Sequence, residues 1–265
     1  MHPTLNIAIR AARAGGKILL RNFDRVDQLK VQTKSRNDFV TDIDRNAEAA
    51  IIQELRARFP SHAILAEESG RQGESDCEWI IDPLDGTTNY LHGFPQFAVS
   101  IAMRQRGQLE CAVVYDPLRE EMFTAARGQG AQLNDRRLRV AARPSLEGAL
   151  IGTGFPFRDE RHIDHYVRMF KAMTLATAGL RRPGSAALDL AYVAAGRTDG
   201  FWEIGLSPWD MAGGALLVTE AGGTVTDLAG GNRYFDTGNL IAGNVRVHQA
   251  MLELIRPFLT DALPA

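Results

Sequence analysis

The sequence predicts a mixed α/β (α+β) protein in which two β-sheets lie between helices, as a layered αβαβα sandwich. Two amphipathic helical segments come first, and short apolar segments separated by Gly or Pro turns follow up to about residue 145. Beyond that point, strand-like and helix-like segments alternate. The first pattern is typical of an antiparallel α+β unit, and the second of an α/β layer. We therefore expect one domain over residues 1–265, with halves of about 1–145 and 146–265.

The two N-terminal helices are predicted at residues 4–23 and 43–58. Apolar residues recur at helical spacing in the first segment, and basic residues interrupt it, so an amphipathic helix fits better than a signal peptide. The second segment is rich in Ala, Glu and Arg, and Pro60 is expected to end it.

Strands are predicted where short apolar runs lie between turn residues. In the first half they span residues 63–66, 78–82, 97–103, 109–115 and 121–126, and a glycine-punctuated hairpin covers 128–134. In the second half, strands at 150–154, 179–182, 200–204, 224–227 and 240–242 alternate with helices at 163–173, 185–195, 209–221 and 246–263.

Composition narrows the class of protein. The chain is 45% hydrophobic and 23% charged, which is ordinary globular composition for a length that can bury a substantial core. Its formal net charge of -2 provides no overall basic field for nucleic acid, although a local basic patch stays possible. Cys77 and Cys111 are too few for a disulfide framework, and no run is apolar enough to span a bilayer. We expect a soluble, reduced, cytoplasmic protein.

The segment W-I-I-D-P-L-D-G-T-T-N at residues 79–89 carries the clearest chemical signal. A buried strand ends in Asp82, a proline turns the chain, and Asp85 follows three residues after the first Asp. Such a turn can direct both carboxylates and the Leu84 carbonyl at one point. Hard oxygen ligands of this kind suit Mg²⁺, and the N–H groups of residues 86–88 could hold a phosphate.

Each acidic segment also has an ordinary structural interpretation. Asp-Pro and Asp-Gly pairs mark surface turns, Glu67 fits a solvated residue, and Asp210 fits an acid in the first turn of a helix. A shared site is favoured because three separate segments each place an acid after a short strand or at the opening of a helix.

Four carboxylates in one site would repel each other. At a separation of about 6 Å and an effective dielectric of about 20, each pair costs roughly 3 kcal/mol. Cations are therefore expected to be integral to any such site.

These motifs resemble the signatures of the inositol monophosphatase family, whose members are magnesium-dependent, lithium-sensitive phosphatases. The resemblance rests on E-E-S at 67–69, the segment 79–89, W-D-M-A-G-G at 209–214 and E-A-G-G at 220–223. It covers nearly the whole chain and implies the layered fold shared with fructose-1,6-bisphosphatases. Residues 2–8 and 184–192 are similar to the bacterial SuhB-type members of the family.

The resemblance implies a set of site residues and two or three Mg²⁺ ions per site. The implied metal ligands are Glu67, Asp82, the Leu84 carbonyl, Asp85 and Asp210. The implied catalytic residues are Glu67, Thr87 and Asp44. The implied substrate contacts are Asp85, Gly86, Thr87, Thr88, Gly184, Ser185, Ala186, Glu203 and Asp210. Without the resemblance, Asp44 would be interpreted as an acid at a helix N-terminus.

These roles lead to a mechanistic hypothesis. We expect Glu67 and Thr87 to position a water, activated by one Mg²⁺, for in-line attack on phosphorus. Asp82, Asp85 and Asp210 are expected to hold a second Mg²⁺ that stabilises the leaving alkoxide, with no covalent phosphoenzyme.

The substrate side of the site has competing interpretations. Glu203 is implied to bind ring hydroxyls, but it could equally be an ordinary glutamate at a strand edge. Residues 184–186 also fit a simple helix start, and Pro183 departs from the family pattern and removes one backbone donor. For Arg181 and Arg182 a solvated basic pair is favoured over contact with a phosphate or a partner.

The leading functional hypothesis is hydrolysis of inositol 1-phosphate. Phosphatases of related fold also act on fructose bisphosphate, adenosine bisphosphate or NADP. The sequence shows no signal for the extra base-binding residues that a nucleotide-specific member would be expected to carry. SuhB-type proteins are also associated with transcription antitermination and RNA polymerase, so a binding function carried on the surface is the alternative from another class. The resemblance further implies a homodimer.

Overall fold

The computed structural model describes residues 3–25, 31–35, 38–156 and 160–260. Helices α1 (Pro3–Phe23) and α2 (Asp42–Arg56) come first and pack against each other. A hairpin of β1 (Val31–Ser35) and β2 (Asp38–Thr41), which the sequence analysis does not predict, precedes α2.

An eight-stranded sheet follows. Its strands are β3 (Ala63–Ala66), β4 (Gly70–Gln72), β5 (Cys77–Asp85), β6 (Ala98–Gln105), β7 (Gln108–Asp116), β8 (Glu121–Ala126), β9 (Gly130–Leu133) and β10 (Arg136–Arg137). Their order is β10-β9-β8-β7-β6-β5-β3-β4, with β3 and β5 parallel and the other neighbours antiparallel. The short helix α3 (Thr87–Leu91) follows β5 directly.

The second sheet has five strands, in the order β12-β11-β13-β15-β14. They are β11 (Leu150–Thr153), β12 (Gly179–Arg181), β13 (Gly200–Glu203), β14 (Thr224–Thr226) and β15 (Leu240–Gly243). The helices between and after them are α4 (Ile163–Ala176), α5 (Ala186–Ala194), α6 (Pro208–Glu220), α7 (Tyr234–Thr237) and α8 (Val245–Ile255). Strand β11 runs parallel to β12 and β13, whereas β15 is antiparallel to both of its neighbours.

Helices α1 and α2 cover one face of the eight-stranded sheet, while α5 and α6 fill the space between the two sheets. In that central layer, Leu190 and Leu217 pack with Val114 and Phe123 of the large sheet and Phe201 of the small sheet. Strand β5 contributes to both layers, because successive residues of a strand point to opposite faces.

Helices α4 and α8 cover the outer face of the small sheet, where Met169 and Met251 pack with Ile151, Trp202 and Ile241. The layers therefore alternate as helices, sheet, helices, sheet and helices. The predicted αβαβα sandwich is confirmed.

Two predicted boundaries are wrong for reasons that involve proline. The final helix was predicted over residues 246–263, but α8 ends at Ile255 and a single 3-10 turn (Arg256–Phe258) follows, since Pro257 has no N–H to continue the α-helix. Residues 261–263 of that prediction lie outside the described residues. Strand β5 passes through Pro83 and ends at Asp85, because the register to β6 shifts between Asp82 and Asp85 and accommodates the proline.

Within the described part of the chain, none of the helices combines the length and apolar character that crossing a bilayer requires.

Candidate active site

A cavity of about 480 Å³ opens where the end of β5 meets the first turns of α3 and α6 and the loop before α5. It is lined by most of the residues that the sequence analysis singles out. These are Glu67, Asp82, Leu84, Asp85, Gly86, Thr87, Thr88, Gly184, Ala186, Glu203 and Asp210. Asp44 and Ser185 are buried and contact lining residues from behind.

Three aspartates converge on one wall of this cavity. Asp82 and Asp85 come from the end of β5, and Asp210 from the first turn of α6. One carboxylate oxygen of each residue lies within 4.8 Å of those of the other two. Glu67 follows β3, and its N–H donates to the Ile81 carbonyl at 3.1 Å, so the pairing of β3 with β5 sets Glu67 beside the three aspartates.

Hydrogen bonds from the surrounding backbone hold each aspartate in place. Asp82 Oδ1 accepts the Leu84 N–H at 3.0 Å, and Asp210 Oδ2 accepts the Ser207 N–H at 2.7 Å as part of a helix capping box. Asp85 Oδ2 accepts the Ser185 hydroxyl at 2.6 Å and the Ala187 N–H at 2.7 Å, which joins β5 to the start of α5.

Burial and crowding disfavour the ionised forms of these carboxyl groups. Burial raises the pKa of Asp82 well above its usual range, and the neighbouring charges of Glu67, Asp85 and Asp210 raise it further. Burial likewise raises the pKa of Asp85 to about 6, although the hydrogen bonds from Ser185 and Ala187 act in the opposite direction. A positive charge placed among these carboxyl groups would offset the free-energy cost of ionising them.

The donor set fits a divalent cation that prefers oxygen. Asp82, Asp85 and Asp210 each offer a carboxylate oxygen, and the Leu84 carbonyl and Glu67 face the same cavity. No nitrogen or sulfur ligand lies among these five, so the chemistry matches Mg²⁺ rather than zinc.

Thr87 and Asp44 lie next to this cluster. The Thr87 hydroxyl donates to the Leu84 carbonyl at 3.0 Å and lies 3.4 Å from Asp44 Oδ1. The other Asp44 oxygen accepts the Thr41 N–H at 2.9 Å and the Thr41 hydroxyl at 2.6 Å. Asp44 is thus an acid in the first turn of α2 and a neighbour of Thr87 at once, so the two interpretations of this residue are compatible.

Glu203 ends β13 and faces the cavity from the small sheet. Its carboxylate packs directly against Gly154: a Cβ atom there would lie 1.9 Å from Glu203 Oε1, so a larger residue would require the carboxylate to move. Sequence reasoning missed Gly154, because a glycine after a short strand gives no signal of which distant side chain it accommodates.

Several further residues at the cavity were also missed or interpreted otherwise. Asn89 lies in the quoted motif without a predicted role, and its amide donates to the Gln96 and Pro183 carbonyls at 2.7 and 2.8 Å, which joins α3 to the loop before α5. Arg182, for which a solvated position is favoured, is exposed but also lines the cavity. Phe155, His92 and His162 line it as well, with no sequence signal.

Comparison with known proteins agrees with this arrangement. Residues 1–259 match the inositol monophosphatase family. A protein named Nus factor SuhB from Pseudomonas aeruginosa is 55% identical to this chain, and the matched region covers 99% of this chain and 99% of that protein. The solved structure of an extragenic suppressor protein SuhB from Bartonella henselae is 47% identical with a TM-score of 0.92, covering 95% of this chain and 97% of the other. An inositol monophosphatase from Anabaena (Nostoc) is 39% identical with a TM-score of 0.86, covering 96% and 95%. The chain belongs to the inositol monophosphatase family.

Proposed function

We propose that this phosphatase-family protein hydrolyses inositol 1-phosphate to inositol and phosphate and that it requires Mg²⁺. The observation that carries the proposal is the convergence of Asp82, Asp85 and Asp210 within 4.8 Å at a cavity that Glu203 faces from the other sheet. Family membership supports the phosphatase class, whereas the metal and the substrate are part of the proposal.

In this proposal Glu67, Asp82, Asp85, Asp210 and the Leu84 carbonyl hold two or three Mg²⁺ ions. When bound, these ions neutralise phosphate charge and lower the pKa of a water. Four carboxyl groups at one wall would otherwise repel a phosphate dianion.

The remaining groups on this wall position the attacking water. The Thr87 hydroxyl can donate its one proton to the Leu84 carbonyl or to Asp44, so its oxygen lone pairs are available to accept a hydrogen bond from water. The nearby carboxylate of Glu67 accepts a second hydrogen bond from the same water. Thr87 and Glu67 together orient the water toward phosphorus, and Asp44 acts through Thr87.

The substrate contacts divide between the two sides of the cavity. We assign the phosphate to the side of Gly86, Thr87 and Thr88, and the polyol ring to the side of Glu203. Gly184 and Ala186 leave room for the substrate between these two sides, since neither residue has a large side chain. Ser185 acts indirectly, because its hydroxyl is hydrogen-bonded to Asp85.

Release of phosphate from a small panel of substrates tests the proposal. The purified chain is incubated with inositol 1-phosphate, fructose 1,6-bisphosphate or adenosine 3′,5′-bisphosphate, with Mg²⁺ or with a chelator. We expect Mg²⁺-dependent release that is fastest from inositol 1-phosphate. Exclusive use of the adenosine compound, or release that the chelator does not reduce, would contradict the proposal.

A second candidate function is binding to the transcription antitermination machinery. The observation that favours it is the name Nus factor carried by a relative that matches this chain along nearly its whole length. Co-purification with RNA polymerase or its elongation factors would support this function. An Asp85→Asn variant that fully rescues a deletion phenotype would show that the cellular role does not depend on phosphatase chemistry.

We also propose a cytoplasmic homodimer, as the family resemblance implies. Light scattering of the purified chain tests the oligomeric state, and a monomer alone at micromolar concentration would contradict it.

A further inference from the structure

Phe155 is an exposed aromatic side chain in the wall of the cavity. It is 45% exposed and lies two residues after the end of β11. Among the described residues, only one other phenylalanine, Phe94 at 52%, is comparably exposed, and Phe94 does not line the cavity. An exposed aromatic ring in the wall of a cavity offers an apolar surface against which an apolar face of a ligand can pack.

The Phe155 ring is held in position from two sides. The guanidinium carbon of Arg182 lies 4.9 Å from its centroid, and the Tyr166 ring meets it edge to face with centroids 5.7 Å apart. Tyr166 is in turn fixed, because its hydroxyl is 3.0 Å from the Thr153 hydroxyl and its ring stacks on Trp202 at 6.1 Å. These contacts favour one orientation of the Phe155 ring.

Phe155 and Glu203 line the same cavity. The residue before Phe155, Gly154, is the one whose missing Cβ leaves space for Glu203 Oε1. The cavity thus contains both an aromatic ring and a hydrogen-bond acceptor, and the aspartate cluster faces the same cavity from the end of β5. A cyclic polyol offers the complementary surface, since its hydroxyl groups lie around the rim of the ring and its C–H bonds lie on the faces.

We propose that Phe155 is a specificity-determining residue whose exposed ring packs against the C–H face of a cyclic polyol phosphate while Glu203 accepts hydrogen bonds from the ring hydroxyls. The proposal rests on the proposed function and deepens it. It predicts preference for cyclic over acyclic polyol phosphates, because an acyclic chain has no continuous face to set against the aromatic ring.

Steady-state kinetics on two substrates test this role. For Phe155→Ala, kcat/KM for inositol 1-phosphate should fall about tenfold, chiefly through a higher KM, while kcat/KM for glycerol 2-phosphate should change by less than about twofold. Phe155→Trp, which keeps an aromatic face, should retain most of the preference for the cyclic substrate. The control is Phe94→Ala, which removes an equally exposed phenylalanine outside the cavity and should leave both substrates unaffected.

The outcomes separate this inference from the proposed function. If the unmodified protein does not hydrolyse inositol 1-phosphate, the proposed function fails. If it does, but Phe155→Ala keeps the ratio of kcat/KM between the two substrates, the assignment of Phe155 is overturned. An equal loss on both substrates, or an equal effect of Phe94→Ala, would overturn it as well, because either result indicates a general disturbance of the fold.

Discussion

Asp85 joins the acidic cluster to the central helical layer. One of its oxygens accepts hydrogen bonds from Ser185 and Ala187 at the start of α5, and the carboxylate also lies within the group of three aspartates. The position of the Asp85 carboxylate is therefore set by neutral hydrogen-bond donors, while its negative charge, when ionised, adds to the charge of the aspartate cluster. These two contributions can be separated experimentally.

Asp85→Asn should lower kcat by at least about a thousandfold while the fold stays intact. The amide oxygen of the variant can still accept from Ser185 and Ala187, but it lacks the negative charge that holds a cation. Phosphate release and the midpoint of thermal unfolding measure the two effects.

The control for this variant is Asp76→Asn, which neutralises an exposed carboxylate in the turn before β5. It should leave turnover unchanged. Near-normal activity of Asp85→Asn would remove Asp85 from the metal-binding set.

Stability of the metal-free protein should depend on pH through these carboxyl groups. The pKa of Asp85 is raised from 3.8 to about 6, so its neutral form stabilises the fold below about pH 4, and this contribution is lost as pH rises through about 6. The pKa of Asp82 is raised in the same direction. In the proposed function Mg²⁺ binds the ionised carboxylates, so it would compete with protons at low pH.

We therefore expect Mg²⁺ to raise the melting temperature more at about pH 7.5 than at about pH 5. Differential scanning calorimetry with and without Mg²⁺ at the two pH values measures the shifts. Equal shifts at both pH values would show that Mg²⁺ stabilises the protein without displacing protons from this cluster.

At the scale of elements, the turn between β5 and α3 decides how the cavity forms. Gly86 adopts φ +94°, and a Cβ there would lie 2.9 Å from the Gln96 carbonyl and 3.2 Å from the Gly184 carbonyl. Only glycine combines this conformation with such close backbone contacts. The turn therefore brings α3 against the loop that leads into α5.

Gly86→Ala should lower the free energy of unfolding by about 1–3 kcal/mol and reduce phosphatase activity, since α3 must shift away from its neighbours. Gly93→Ala is the matched control, because Gly93 also has a positive φ of 65° but a Cβ there would meet nothing within 4 Å. Urea denaturation and phosphate release compare the two variants. Equal losses in both would mean that backbone conformation, rather than the close contact, accounts for the effect.

Sequence patterns predict those elements that carry their own periodicity. The predicted strands at 63–66 and 121–126 coincide with β3 and β8, and the helix at 185–195 lies within one residue of α5 at each end. The short elements β4, α3 and α7 were not predicted, because three to five residues are too few to show a repeating pattern.

The residues of the candidate site also divide into those that local sequence patterns indicate and those that they do not. Asp82 and Asp210 are visible locally as acids at a strand end and a helix start, but their meeting depends on contacts between residues 128 positions apart, which the family resemblance supplied and local patterns do not contain. Gly154 has no local signal at all, since it accommodates Glu203 on a neighbouring strand.

At the scale of the whole molecule, the central helical layer connects the two sheets. Helices α5 and α6 bury Leu190 and Leu217 against residues of both sheets, so the two sheets share the core on their inner faces. The candidate active-site cavity lies along the same boundary, with Asp82 on one sheet and Glu203 on the other.

The two halves should consequently unfold in one cooperative transition. Trp79 in the large sheet and Trp202 in the small sheet are both fully buried and report on the two sheets separately. Trp209, the third tryptophan, lies in α6, so it is replaced in both variants. In urea, the fluorescence transitions of Trp202→Phe/Trp209→Phe and Trp79→Phe/Trp209→Phe, which each keep one tryptophan, should coincide with the loss of far-UV circular dichroism of the same variant. Two separated transitions in either variant would indicate sheets that unfold independently.

In the proposed function, acids from distant parts of the chain gather divalent cations at one place. Anomalous diffraction from crystals soaked in Mn²⁺, a substitute for Mg²⁺ that scatters anomalously, tests this claim most directly. We predict a strong anomalous peak within coordination distance of Asp82, Asp85 and Asp210, and loss of that peak in Asp85→Asn crystals. The absence of a peak among these three residues in the unmodified protein would contradict the account.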